Sequence, residues 1–110
     1  MPHKILPAAR NSLIQIWHYT DQKWGEDQAD KYIHGIYETV KNINANKHLW
    51  RSLAIEGFEG TYFVRYRYHF IFFRQLSQDV LGVISVLHER MNLPDRLLND
   101  LRHEGSNLYP

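Results

Sequence analysis

From residue 8 onward, apolar side chains recur at Ala9, Leu13, Ile16, Trp17 and Trp24, a spacing that lines one face of a helix. Gly25 follows at once, the residue type that most often ends a helix in a left-handed conformation. Glu26 and Asp27 then open a second helix, acidic where the helix dipole favours negative charge. Its stripe runs through Ala29, Tyr32, Ile33, Ile36, Tyr37, Val40 and Ile43, and Asn44-Ala45-Asn46 ends it. So short a link between the two predicts an antiparallel helical hairpin.

The period changes in the second half. Across residues 61–74, Tyr62, Val64, Tyr66, Tyr68, Phe70 and Phe72 share one parity, and Arg65, Arg67 and His69 share the other. That alternation predicts strand, with an aromatic face turned to the helices and a polar face turned away. The segment is too long for one ordinary strand, so a reversal is expected near Arg65 to Tyr68, although no Gly, Pro or Asn-Gly marks it. Ser77-Gln78-Asp79 predicts a second turn before a strand over residues 80–88. A short first strand is expected over residues 3–6. At the far end, Pro94 stands at a helix start, with Leu97, Leu98 and Leu101 as its stripe and Gly105 as its stop. Helices precede strands as a block, which predicts an α+β class: a helical hairpin packed on a small antiparallel sheet, with a short C-terminal helix, in one domain over residues 1–110.

Composition narrows the chemistry. The chain has 110 residues, 44% of them hydrophobic, which is too apolar for intrinsic disorder. It has no cysteine, which excludes disulfides, thiolate metal sites and a Cys nucleophile. Thirteen Lys and Arg against twelve Asp and Glu leave a net charge of +1, so no global basic excess points to nucleic acid. No apolar run is long enough for a signal peptide or a membrane span, and a cytoplasmic location is expected.

Candidate sites are few. His88-Glu89-Arg90-Met91-Asn92 begins like a zinc-protease helix, but Asn92 stands where the second histidine ligand is required, and no metal is expected. No G-x-S-x-G elbow and no phosphate-binding glycine loop occurs. A metal-free ribonuclease has more behind it, because 2′-hydroxyl attack on RNA needs a base, an acid and cations around the developing charge. Residues 60–78 hold three arginines and no acid, and His88, Arg65, Arg67 and His69 would converge if polar strand faces aligned. The plainer reading, solvent-facing sheet residues, is favoured by spacing alone. The aromatics of the major parity are assigned to the core. Phe63 and Phe73, of the other parity, and Trp50, after the second helix, are assigned to an exposed partner surface.

The order of elements resembles the RelE/ParE superfamily of bacterial toxin–antitoxin modules, and several strings resemble its ParE branch. These are Ala8-Ala9 followed by Leu13-Ile14-Gln15-Ile16-Trp17, Trp24-Gly25 with Gln28-Ala29, and Tyr68-His69-Phe70-Ile71-Phe72-Phe73-Arg74. The most specific is Ile84-Ser85-Val86-Leu87-His88-Glu89-Arg90-Met91-Asn92-Leu93-Pro94, similar to the ParE closing strand and the turn after it. The resemblance spans about residues 3–98. It implies a toxin, of the kind associated with plasmid stabilisation, that inhibits DNA gyrase by binding, needs no cofactor and is neutralised by a ParD-like antitoxin. Such an antitoxin is expected to bring an amphipathic helix to the groove beside the hairpin and a strand to the sheet edge. Direct sequence-specific nucleic-acid binding is not expected. On this reading Arg65, Arg67, His69, His88, Glu89 and Arg90 face the target, and Trp50, Phe63 and Phe73 face the antitoxin.

The ribonuclease branch of the superfamily carries an Arg entering the middle strand and a catalytic His or Arg, often with Tyr, at the end of the last strand. Here those places read His69 and His88-Glu89. The loop after the second helix keeps only Arg51 of the usual Pro and Gly-Arg pattern. A ribosome-dependent mRNA endonuclease, or an inactive antitoxin-binding remnant, are the alternatives.

Overall fold

The computed structural model describes residues 3–53, 55–77 and 80–91. The C-terminal helix expected from Pro94 onward lies outside them. Strand β1 (His3–Ile5) leads through Leu6 straight into helix α1 (Pro7–Trp24). Pro7 sits in the first helical turn, where its missing N–H costs nothing and its fixed φ suits the helix. Gly25, at φ 91°, takes a conformation that L side chains rarely adopt and ends α1 one residue before helix α2 (Glu26–Lys41) begins. Trp17 Nε1 donates to Asp30 Oδ1 at 2.8 Å, bridging the helices of the predicted hairpin. A short 3₁₀ segment, Asn44–Leu49, follows α2.

Four more strands follow: β2 (Arg51–Ser52), β3 (Thr61–Tyr66), β4 (His69–Ser77) and β5 (Val80–His88). They join β1 in one sheet of order β1-β5-β4-β3-β2. The α+β expectation holds, with one correction. The sheet is mixed, not purely antiparallel, because β1 pairs parallel to β5. A parallel partner is available because the whole hairpin lies between β1 and the strands that follow. Ser77 and Val80 pair across the expected turn, whose Gln78 and Asp79 lie outside the described residues.

The second correction concerns which aromatics face the helices. The β3–β4 reversal is a two-residue turn, Arg67-Tyr68, with Tyr66 opposite His69. Residues paired across strands share a face, so the buried parity switches from even on β3 to odd on β4. Val64, Ile71 and Phe73 consequently pack toward α1 and α2 with Leu13, Ile36, Val40, Val83 and Val86. Phe72 falls on the opposite face with Leu6, Phe58, Ile84 and Leu87, and Phe63 and Phe70 pack against that second cluster. The sheet is thus apolar on both faces, helices covering one and residues of the 53–58 stretch packing on the other.

Phe73 is therefore not an exposed partner residue. It is 0% exposed, with its ring edge-on to Trp50 at 4.8 Å. Trp50 is half-buried, and its indole N–H donates to the Ile43 carbonyl at 2.8 Å. Phe63 is half-buried on the helix-free face. Trp24, placed on the buried stripe of α1 by its spacing, is instead 66% exposed. Among the described residues, no helix is long and apolar enough to cross a membrane.

Candidate functional site

The β3–β4 turn, the end of β5 and the first half of α2 meet at one corner of the molecule. Arg67 stands at φ 50° in the first turn position, where glycine is the usual occupant of two-residue hairpin turns with positive φ. Neighbours hold it there. Arg65 Nε donates to the Arg67 carbonyl at 2.7 Å, and the Tyr68 N–H donates to the Tyr32 hydroxyl at 3.3 Å.

Tyr32 reaches this turn from α2, and its hydroxyl lies 2.7 Å from Nδ1 of His69. The same hydroxyl accepts the Tyr68 N–H, so Tyr32 ties the turn to His69, and the direction of its bond to Nδ1 follows the His69 tautomer. Burial, with the neighbouring His88 adding to it against a smaller opposing pull from Glu89, lowers the His69 pKa to about 4. Burial also raises the pKa of the Tyr32 hydroxyl, the Tyr68 N–H working against it.

His88 pairs directly across from His69, and the two rings stand perpendicular with centroids 5.2 Å apart. Nδ1 of His88 accepts the backbone N–H of Arg90 at 3.1 Å, so the neutral ring keeps its proton on Nε2. Strand β5 stops here because Glu89 N–H turns to the Tyr68 carbonyl at 2.9 Å and Met91 N–H to the His88 carbonyl at 3.0 Å.

A cleft of about 470 Å³ opens over this corner, lined by Arg67, Tyr68, His69, His88, Glu89 and Arg90 together with Tyr19, Trp24 and Tyr32. Five of the six target-facing candidates thus come together. Arg65 does not: it belongs to the helix-free face, its guanidinium 5.6 Å from the Phe70 ring centre and ion-paired with Glu89. The four residues of the ribonuclease reading divide the same way, with Arg67, His69 and His88 in the cleft and Arg65 beside it.

The sequence missed Tyr19, Trp24, Tyr32 and Tyr68 as members of the site. A signal existed for Tyr68, the second residue of the reversal, which a two-residue turn necessarily exposes. Tyr32 had none, since it fits the α2 stripe and only the packed hairpin brings its hydroxyl to His69.

A second, larger groove of about 840 Å³ lies between α2 and the edge of β3. Strand β2 covers that edge only at Tyr62 and Phe63. Val64, Arg65 and Tyr66 continue beyond it, with Gly35, Thr39 and Leu49 among the residues opposite. Phe63 lines this groove, whereas Trp50 and Phe73 do not. Among the described residues, no group of three or more His, Asp or Glu is arranged to hold a metal ion.

Comparison with known proteins places this geometry. The family model described as "ParE toxin of type II toxin-antitoxin system, parDE" matches residues 4–93. Toxin ParE1 of Mycobacterium tuberculosis is 31% identical over 91 residues, covering 83% of this chain and 92% of that protein. Toxin ParE of Escherichia coli is 28% identical over 94 residues, covering 86% and 90%. Among solved structures, a chromosomal ParDE toxin–antitoxin system from P. aeruginosa superposes with a TM-score of 0.67 at 20% identity, covering 80% of this chain and 95% of that one. The YoeB dimer from Staphylococcus aureus superposes with a TM-score of 0.55 at 18% identity, covering 81% and 97%. The last two show the fold.

Proposed function

The chain belongs to the ParE toxin family of type II toxin–antitoxin systems, and from that premise we propose that it acts in the cytoplasm by binding DNA gyrase and is neutralised by a ParD-like antitoxin. The observation that carries the choice of binding over RNA cleavage is the state of the two histidines. A ribonuclease of this class needs a side chain with a free lone pair to take the 2′-hydroxyl proton. In this cleft Nδ1 of His69 is occupied by the Tyr32 hydroxyl and Nδ1 of His88 by the Arg90 N–H. Nε2 of His88 is left as a donor, His69 with its pKa lowered to about 4 is too weak a base to take the 2′-hydroxyl proton near neutral pH, and Glu89 is engaged by Arg65. What remains is a face of cations and donors ringed by exposed aromatics, the composition of a binding hot spot.

For the antitoxin, the groove between α2 and β3 is the favoured seat. Its open strand edge invites an added strand and its α2 wall an amphipathic segment. Phe63 stays a candidate contact there.

The test is controlled expression with gyrase supercoiling and mRNA integrity followed in the same cells. Accumulated cleaved DNA with intact transcripts is the expected result. Early transcript cleavage that His88→Ala abolishes overturns the gyrase reading in favour of the endonuclease, and growth without any effect favours an antitoxin-binding remnant.

A further inference from the structure

Three large aromatics stand exposed around the 470 Å³ cleft: Trp24 at 66%, Tyr68 at 60% and Tyr19 at 57%. Exposed rings of this size are a cost in water unless something covers them. They come from two elements distant in sequence, the C-terminal half of α1 and the β3–β4 turn, so no single periodicity puts them together. Between them lie Arg67 and Arg90, and Lys23 sits 5.7 Å over the Tyr19 ring. The one acid in the lining, Glu89, is ion-paired with Arg65 from the far side of the hairpin. His69 and His88 line the cleft as well, and the Arg90 N–H on Nδ1 of His88 leaves that ring an Nε2 proton to donate.

We propose that this cleft binds a nucleotide of single-stranded DNA, its base stacked on the aromatic rim and its phosphate held by Arg67 and Arg90. Stacking is open to every base because each has a π face, so the site has affinity without sequence preference. A cleft lined with donors and cations selects an anion over a peptide, which would bring N–H groups needing acceptors. The volume lies within the range of about 300–1,000 Å³ common to small-ligand sites, too little for a duplex but adequate for one unstacked nucleotide. Arg67 also fits the role: a non-glycine residue held at positive φ marks a position where the side chain is kept at a conformational cost. The inference deepens the gyrase reading by naming what the cleft holds in a complex that contains broken DNA. It rests on that reading for its setting alone, and the test below needs no gyrase.

Purified chain is titrated into fluorescein-labelled oligothymidylate of about ten nucleotides, a length within the usual single-strand site sizes, at low salt, with anisotropy and tryptophan fluorescence as readouts. Saturable binding that quenches tryptophan emission is expected, with the duplex of the same length binding more weakly. Trp24→Ala and Tyr68→Ala should each weaken binding by about 5–100-fold, the range of a lost base stack. Arg67→Gln should weaken it and lower the slope of log affinity against log salt by about one. Ile14→Ala, an exposed α1 residue outside the cleft, should change nothing. Thermal melts of each variant confirm folding. Absence of saturable binding overturns the inference, as does binding that is equal for duplex and single strand and unmoved by Trp24→Ala and Tyr68→Ala. Gyrase inhibition without oligonucleotide binding removes the inference and leaves the gyrase reading standing. Oligonucleotide binding without gyrase inhibition supports the inference and removes that reading.

Discussion

His69 joins three elements with one ring. It begins β4, faces His88 of β5 and shares a hydrogen bond with the Tyr32 hydroxyl from α2. Charging that ring places a cation in a partly desolvated corner beside another imidazole, which is why its pKa falls from 6.5 to about 4. In the unfolded chain the ring regains its ordinary value. Between pH 6.5 and about 4 the unfolded state therefore binds a proton that the folded state refuses, and stability falls as pH drops through that window. Above 6.5 the contribution is fully present. The ring is only partly shielded, so the screened loss is about 1–2 kcal/mol, below what the whole shift would imply. Urea unfolding at pH 7.5 and pH 4 measures it, with His69→Gln as the reference that lacks the titrating group. Wild type should lose that much more than the variant over the same interval, and equal losses would reject burial as the cause.

At the scale of elements, the β3–β4 hairpin decides what the sheet buries. Pairing Tyr66 with His69 through a two-residue turn shifts the inward parity and sends Phe73 into the helix-side core. The turn itself is held against preference by Arg67 at φ 50°. Replacing Arg67 with Gly should remove about 1–2 kcal/mol of steric cost and return part of it as chain entropy, for a net gain near 0.5–1 kcal/mol in a thermal or urea melt. The same substitution takes a guanidinium from the cleft, so binding should weaken while stability rises. The helices were readable because a 3.6-residue period survives small errors in position. Strand faces were not, since a single residue in the turn inverts every side chain after it, and Arg67-Tyr68 carries none of the usual turn chemistry. The second apolar face concealed the error: with Phe70 and Phe72 packed on one side and Ile71 and Phe73 on the other, the first half of β4 has no polar face to reveal its register. The site was half legible, with Arg67, His69 and His88 marked by their chemistry and the aromatic rim hidden because it arises only from packing.

For the whole molecule, the cleft and the groove both open on the helix-bearing side of one sheet, the cleft at the β3–β4 turn and the groove at the β3 edge. Helices cover one face and the 53–58 stretch packs on the other, leaving the edge of β3 beyond β2 as unclosed sheet in the middle of the chain. Such an edge is a hazard for a protein that works alone, because unpaired backbone groups template further strands. It is an advantage for one that spends most of its time under an antitoxin. On the groove's α2 wall the Tyr66 ring lies directly over Gly35, where any larger residue would collide with its hydroxyl. Hydrogen exchange on the antitoxin complex tests the assignment. Added strand pairing should slow exchange relative to the free toxin at Arg65, whose N–H faces the open edge while those of Val64 and Tyr66 already face β4, whereas Tyr68 and Arg90 at the cleft change little. Protection confined to α1 would instead place the antitoxin on the helix face and leave the β3 edge without a partner. Slow exchange at both the edge and the cleft would mean that one antitoxin segment blocks the two openings together, so that neutralisation works by covering the target-facing corner directly.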